Sequence, residues 1–281
     1  MAVKGIDVSH YNGDIDWNQV ANSGVTFAMI HAGYGESLEN IDPTFRQNVE
    51  GALAAGVNVG LYWFSYAYTV DMAKVEAQLL MEAAAPYKGR ITYPLSFDWE
   101  YASDTYAQQQ GVNPSNELIT DMAIAFMTEL EQGGWYAMNY SNLDYYYNKF
   151  QMERLANFDL WLADYNGPTG ISCGIQQTGD AAQVAGIAST STDSDIAYKD
   201  YPTIIKNAGL NGYPKPESGG DGEEDSGMIY NTIDEVPEWA RPTIQKLMDK
   251  GWLKGNGDGQ LDLNDTMLRL LVINDRAGLY N

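Results

Sequence analysis

From Val3 to Gln177 the chain alternates short apolar runs with stretches of helical apolar spacing, and this alternation limits the fold more than any other feature. Residues 3–8, 26–31, 57–65, 94–100, 135–140, 160–163 and 174–177 read as strands. Residues 16–20, 43–55, 70–85 and 116–131 read as helices, three of them closed by Gly56, Pro86 and the pair Gly133-Gly134. Strands separated by helices pair in parallel as βαβ units. Six or more such units in about 210 residues favour a closed barrel over an open sheet. The late strands have little helix between them. The expected fold is therefore α/β, an irregular TIM-like β/α barrel.

The barrel is expected to occupy residues 1–212. Tyr213-Pro-Lys-Pro-Glu-Ser-Gly-Gly-Asp-Gly-Glu-Glu-Asp-Ser-Gly227 lacks apolar periodicity and is rich in Pro, Gly and acid, which marks a linker over 213–227. Residues 228–281 read as a small, mainly α-helical module. Its first helix, over 237–250, places Trp239, Ile244, Leu247 and Met248 on one face and ends at Gly251. A Gly/Asp turn over 255–259 lacks the ligand spacing of a calcium loop. A second helix starts near Asp265 and carries Leu268, Leu271 and Val272 on its apolar side.

The formal charge of −22 repels nucleic acid and anionic membranes, so neither is expected as a partner. A single cysteine, Cys173, excludes an internal disulfide. Two histidines, His10 and His31, cannot make an all-His site, and no Cys or His spacing suggests zinc, so neither metal nor cofactor is expected. The N-terminus shows no apolar signal region and no later segment is long and apolar enough to span a bilayer. The expectation is a protein made in a cytoplasm.

Catalytic groups of β/α barrels sit at the C-terminal ends of strands, so acids there are the candidates. Asp7 ends the first apolar run. Asp98 and Glu100 end the run Tyr93-Pro-Leu-Ser-Phe-Asp-Trp-Glu100. Their i, i+2 spacing puts both carboxylates on one face of a strand, with Phe97 and Trp99 on the other. Repulsion and partial burial should raise one of the two pKa values and make a general acid. Glycoside hydrolysis needs that arrangement: a protonated carboxyl on the leaving oxygen and a second carboxylate beside the anomeric carbon. The Cα atoms are roughly 6–7 Å apart at this spacing, which leaves retention and inversion both open.

Gly5-Ile-Asp-Val-Ser9 resembles the opening motif of the glycoside hydrolase family 25 muramidases, the Chalaropsis-type lysozymes common among phage endolysins. Phe97-Asp-Trp-Glu100 is similar to their central Asp-x-Glu motif, and Gly60-Leu-Tyr-Trp-Phe-Ser65 to their third-strand motif. Asn139-Tyr-Ser141, Leu160-Trp-Leu-Ala163 and Asp193-Ser-Asp-Ile-Ala-Tyr198 continue the likeness, which covers residues 2–205 in order. The resemblance implies hydrolysis of the β-1,4 bond between N-acetylmuramic acid and N-acetylglucosamine. Glu100 then matches the general acid, and Asp98 the acid that stabilises positive charge beside the anomeric carbon. Asp7 and Asp193 match acids flanking the cleft. Asp195 is a second candidate for Asp193's role. Tyr62, Phe64, Tyr140, Trp161 and Gln177 match positions lining the sugar groove. The chain departs from the pattern at Gln176-Gln177-Thr178, where many relatives carry Trp-Gln-Tyr. The stretch Ser189-Thr-Ser-Thr-Asp-Ser-Asp195 is also unusually polar for a barrel wall.

The C-terminal module resembles a single S-layer-homology repeat, a family that binds secondary cell-wall polymers. A two-helix unit this small buries little apolar surface alone, so a homodimer or higher oligomer through residues 228–281 is expected. Gly222-Glu223-Glu224 requires purine-rich codons three codons ahead of Met228, which allows an internal start and a short product beginning there. The combined expectation is a peptidoglycan hydrolase of phage type, made in the host cytoplasm without a signal peptide and acting on the wall after release. Another N-acetylhexosaminidase, such as a chitinase, and a catalytically silent wall-binding barrel are the alternatives.

Overall fold

The computed structural model describes residues 2–216, 228–256, 259–276 and 279–280. The chain divides into two compact units, Met1–Lys215 and Pro216–Asn281. Residues 217–227, most of the expected linker, lie outside the described residues. Tyr213, read from sequence as the start of that linker, packs against the aromatic and aliphatic core of the first unit, with Lys206 over its ring.

Eight strands close into a barrel in sequence order: β1 (Val3–Val8), β2 (Phe27–Tyr34), β3 (Asn58–Phe64), β4 (Leu95–Asp98), β5 (Ala137–Asn142), β6 (Asp159–Ala163), β7 (Ile175–Ala182) and β8 (Thr192–Ala197). The helices that clothe it are α1 (Trp17–Asn22), α2 (Phe45–Ala54), α3 (Val70–Ala84), α4 (Tyr101–Gln109), α5 (Asn116–Gln132), α6 (Leu143–Asn148), α7 (Met152–Leu155) and α8 (Tyr201–Ala208). Strands β1 to β7 pair in parallel. Strand β8 runs antiparallel to both β7 and β1. A parallel return requires a crossover of a dozen or more residues, usually helical. The short helix-free connection 183–191 can only fold back as a hairpin.

Alternation along the strands sorts the side chains. Ile6, Val8, Ala28, Ile30, Val59, Leu61, Trp63, Leu95 and Phe97 pack outward under the helices. Phe27, Met29, Tyr93, Met138, Trp161, Ile175 and Ala197 form a second cluster inside the barrel. Because β8 runs downward, α8 follows it to the floor, where Tyr201 meets Tyr93 at 5.3 Å and Tyr136 at 5.7 Å between ring centres. The floor plug is the Phe27 ring stacked on Tyr93, 4.4 Å apart and 8° from parallel.

The plug fits because two facing positions lack a side chain. A Cβ on Gly5 would overlap the Phe27 ring, and one on Gly60 would overlap the Met29 sulfur and approach the Pro94 carbonyl oxygen to 2.9 Å. In the second unit, α9 (Arg241–Asp249) and α10 (Asp265–Arg276) pack around Val236, Ala240, Ile244, Leu261, Leu268 and Val272.

Four helices escaped the sequence reading. The sequence of α4, Tyr-Ala-Ser-Asp-Thr-Tyr-Ala-Gln-Gln, has little amphipathic contrast, and α6 and α7 are too short to show a period. Gly60→Ala should destabilise the barrel by about 1–3 kcal/mol through overpacking. Chemical denaturation against the parent would register this as a lower midpoint with unchanged slope.

Candidate active site

The upper ends of the strands surround a cleft of about 710 Å³. Of the residues singled out from sequence, all but the alternative Asp195 line it: Asp7 from β1, Tyr62 and Phe64 from β3, Asp98 and Glu100 from β4 and just beyond, Tyr140 from β5, Trp161 from β6, Gln177 from β7 and Asp193 from β8. No lysine or arginine is among the residues that line it.

Strand β4 ends at Asp98, and Glu100 sits at the N-cap of α4 with extended backbone angles (φ −135°, ψ −171°). The chain therefore keeps its strand-like alternation through Glu100, and both acids face the cleft although the strand proper has ended. The Glu100 amide donates to Ser103 Oγ at 3.1 Å. Between them, fully buried Trp99 points away from the cleft and its Nε1 lies 3.4 Å from Asp104 Oδ1. Tyr145 donates to the other Asp104 oxygen at 2.6 Å, and Lys149 stands 3.4 Å from it. This network fixes the start of α4, and with it Glu100.

Burial, and after it the charge of neighbouring acids, raises the pKa values of the cleft carboxyls. Burial, then the charge of Glu100, pushes the Asp98 carboxyl well above the usual range. Its Oδ1 is buried without a hydrogen-bond partner. Burial, then Asp193, pushes Glu100 up. Across the cleft, Asp7 and Asp193 are opposite in the β1–β8 ladder, and Asp195 is opposite Gly5. Burial raises Asp7 strongly, helped by Asp195 and Asp193, against a bond from Gln177 Nε2 at 2.8 Å. Burial lifts Asp193 to about 6 and Asp195 to about 7. Asp195 lies below the cleft, where it accepts from Trp161 Nε1 at 2.8 Å. Of the two candidates on β8, Asp193 is the one that lines the cleft.

Gln177 is oriented by its neighbours. Its Oε1 accepts from Tyr140 at 3.1 Å and from Tyr165 at 2.8 Å, which leaves the amide nitrogen to donate to Asp7. Gln176, one residue earlier, faces the other way. It donates to the Asp164 and Gly167 carbonyls at 2.7 and 2.8 Å and accepts from Tyr198 at 2.7 Å. The glutamine at this position fastens the loop after β6 and does not line the cleft.

Sequence reasoning missed His31, Tyr34, Tyr66, Tyr165, Ser9, His10 and Tyr11 on the cleft wall. Tyr66 and Tyr165 come from loops and Tyr11 from a single 3-10 turn, where no period marks them, while Tyr34 is the last residue of β2, beyond the expected strand end at residue 31. His31 ends the apolar run 26–31 read from sequence as a strand, and its parity with Phe27 and Met29 could have found it. His31 and His10 meet at Asp42, each through Nδ1, at 3.0 and 2.8 Å from the same carboxylate oxygen. Among the described residues these three form the group whose ligand atoms lie close enough, within 4.8 Å of one another, to hold a metal ion. Each Nδ1 is already committed to Asp42 by a hydrogen bond, and the sequence spacing of the three gives no hint that they meet.

A β/α barrel with several acids crowded at the strand ends and tyrosines around them belongs to the architecture of glycan hydrolases. Residues 6–173 match the model of the glycosyl hydrolases family 25, and the chain belongs to that family. The match ends before the polar β7–β8 hairpin. Lysozyme M1 of Streptomyces globisporus is 41% identical over 63 residues, 22% of this chain and 21% of that protein. The modular autolysin LytC of Streptococcus pneumoniae, solved with a synthetic peptidoglycan ligand, superposes with a TM-score of 0.61 at 21% identity, over 70% of this chain and 47% of LytC. The chain thus spans about a fifth of the one relative and about half of the other. The CTP1L endolysin superposes over 98% of this chain and 99% of its own, with a TM-score of 0.58 at 18% identity.

The raised carboxyls predict a pH dependence of stability. Asp193 and Asp195 move from an ordinary 3.8 to about 6 and about 7. Between those limits the folded chain holds more protons than the unfolded one, so this contribution is present below about pH 4 and is lost as pH rises to 7. Asp195→Asn, which can still accept from Trp161, should narrow the difference in Tm between pH 4.5 and pH 7.5 by several degrees. An unchanged difference would remove Asp195 from the account.

Proposed function

We propose that the chain is a muramidase that hydrolyses the β-1,4 bond between N-acetylmuramic acid and N-acetylglucosamine in peptidoglycan. Family membership supports glycoside hydrolysis, and the pairing of Asp98 with Glu100 in one cleft carries the reading. Glu100 is the general acid. It is less deeply buried than Asp98, it reaches the cleft from the rim, and its pKa is raised, so it can arrive protonated at the leaving oxygen. Asp98 stands beside the anomeric carbon and stabilises its developing charge, directly or by orienting the substrate's N-acetyl group. Asp7 and Asp193 flank the sugar opposite, with Gln177 holding Asp7 in place. Tyr62, Phe64, Tyr140 and Trp161 offer ring faces and edges to the glycan.

Release of reducing ends from purified peptidoglycan tests this. Glu100→Gln and Asp98→Asn should each lower the rate by about 10²–10⁴-fold, in protein that circular dichroism shows to be folded. Mass spectrometry should find muramic acid at the new reducing ends. Glucosamine there would transfer the activity to the other glycosidic bond.

The second unit is a wall-targeting module that binds a secondary cell-wall polymer and self-associates. Its small core leaves Trp252, Met267, Leu270 and Leu279 exposed, which favours association. A short product starting at Met228 would supply free copies of the module. The CTP1L endolysin, whose activity is regulated by a secondary translation product, supports this by analogy. The protein is made in a host cytoplasm and reaches the wall on release; no described helix is long and apolar enough to cross a membrane. Met228→Leu, written with a codon that does not start translation, should abolish any small product on expression. A small product that persists would come from proteolysis of the linker.

A further inference from the structure

At the barrel mouth β2 contributes His31, a cleft-lining side chain that has no part in the acid chemistry above. Its ring is fixed on two sides. Nδ1 donates to Asp42 at 3.0 Å, and the ring centre lies 5.0 Å from that of Tyr62, its register partner on β3. The other nitrogen, Nε2, is buried without a hydrogen-bond partner. His10 shares the Asp42 anchor, but its side chain is 38% exposed against 11% for His31, so water can reach its ring.

Asp42 is a strong anchor. Its side chain is fully buried, and both oxygens are occupied: one by the two imidazoles and the His10 amide, the other by the Thr44 amide and hydroxyl at 2.8 and 2.7 Å. Donating Nδ1 to this carboxylate leaves Nε2 as the ring nitrogen that can meet a ligand, and in the Nδ1–H tautomer that nitrogen is an acceptor. A buried acceptor that lines a cleft and lacks a partner is expected to gain one when ligand displaces water. The cleft wall carries no lysine or arginine that could serve.

We propose that His31 is a substrate-positioning residue, whose Nε2 accepts a hydrogen bond from an N–H or O–H of the N-acetylated saccharide in the cleft. This rests on the glycan reading of the cleft. The hydrogen bond fixes the height of one sugar ring against Asp98 and Glu100, and Asp42 sets the tautomer that makes it possible.

Two substitutions separate positioning from mere support. His31→Asn keeps an amide where Nδ1 bonds Asp42 and deletes Nε2. His31→Gln loses the Asp42 bond and returns a polar atom near Nε2. Each is combined with Glu100→Gln to stop turnover, and binding of a peptidoglycan-derived tetrasaccharide is measured by calorimetry. His31→Asn should weaken binding about tenfold, as for one lost hydrogen bond, with Tm unchanged, and His31→Gln should recover part of it. In the otherwise intact enzyme His31→Asn should raise KM more than it lowers kcat.

The chain has only two histidines, so ¹⁵N-histidine NMR gives a direct readout in protein with an unaltered His31: its Nε2 resonance should move on saturation with the saccharide. Parental affinity in His31→Asn with weaker binding in His31→Gln, or an unmoved Nε2 resonance, would reduce His31 to a latch for Asp42. If the saccharide binds through His31 but wild type releases no reducing ends, the hydrolase reading fails and this one stands. If hydrolysis proceeds and His31→Asn leaves KM unchanged, this one fails alone. No saccharide binding at all overturns both.

Discussion

Four carboxylates face one cleft and a fifth lies just beneath, with no lysine or arginine on the wall to neutralise them. Such a group cannot ionise fully when buried, and its members must retain protons or find neutral donors. The chain supplies those donors individually: Gln177 to Asp7, the Trp161 indole to Asp195. It supplies none to Asp98 Oδ1. Much of the upper barrel follows from this constraint. Tyr140 and Tyr165 are placed to turn the Gln177 amide the right way round. Trp161 serves both as interior packing and as a donor.

The reversal of β8 completes the cluster. In a parallel barrel the mouth receives residues from the ends of strands, and Asp193, second residue of its strand, would lie at the floor. Running β8 downward moves its first residues to the mouth, directly across from Asp7. The same reversal delivers α8 to the floor, where Tyr201 seals the Phe27–Tyr93 stack. One short connection therefore fixes both ends of the barrel. The polar composition of β8 also acquires a reason. Thr178 bonds the Ser194 backbone and hydroxyl at 3.0 and 2.9 Å, and Asn12 reaches the Ser191 carbonyl at 3.3 Å. Hydrogen bonds thus tie the polar side chains of β8 to its neighbours.

The parts legible in the sequence were those governed by periodicity. The seven parallel strands and the facing of Asp98 and Glu100 follow from apolar alternation, which survives to Glu100 although the strand ends at Asp98. The direction of β8 left its trace only in the shortness of a loop. Asp42 was invisible because it lies outside any strand and acts through two histidines that are themselves distant in sequence. His31 was readable in principle. It ends an apolar run with the parity of Phe27 and Met29, and attention to acids alone passed over it. Gln177 was read as a groove position and Gln176 as a departure, and alternation sends them to opposite sides: Gln176 fastens a loop, and Gln177 orients an acid.

Asp42 and Asp98 show how one residue type is given opposite tasks within one wall. Both are buried, and burial pushes both upward. For Asp42 that push is overturned by hydrogen bonds from His31, the His10 amide, Thr44 and the His10 ring, so it stays ionised well below the usual carboxylate range. Asp98 has Glu100 beside it and one oxygen without a donor, so nothing opposes burial and its proton is held tightly. The ionised carboxylate is thereby suited to orienting imidazoles, a structural task that requires a fixed charge. The carboxyl poised above its usual range is suited to chemistry, because the arrival of positive charge on a sugar is what would restore its preference for the anion. The donors that the surrounding backbone can reach decide between these two tasks.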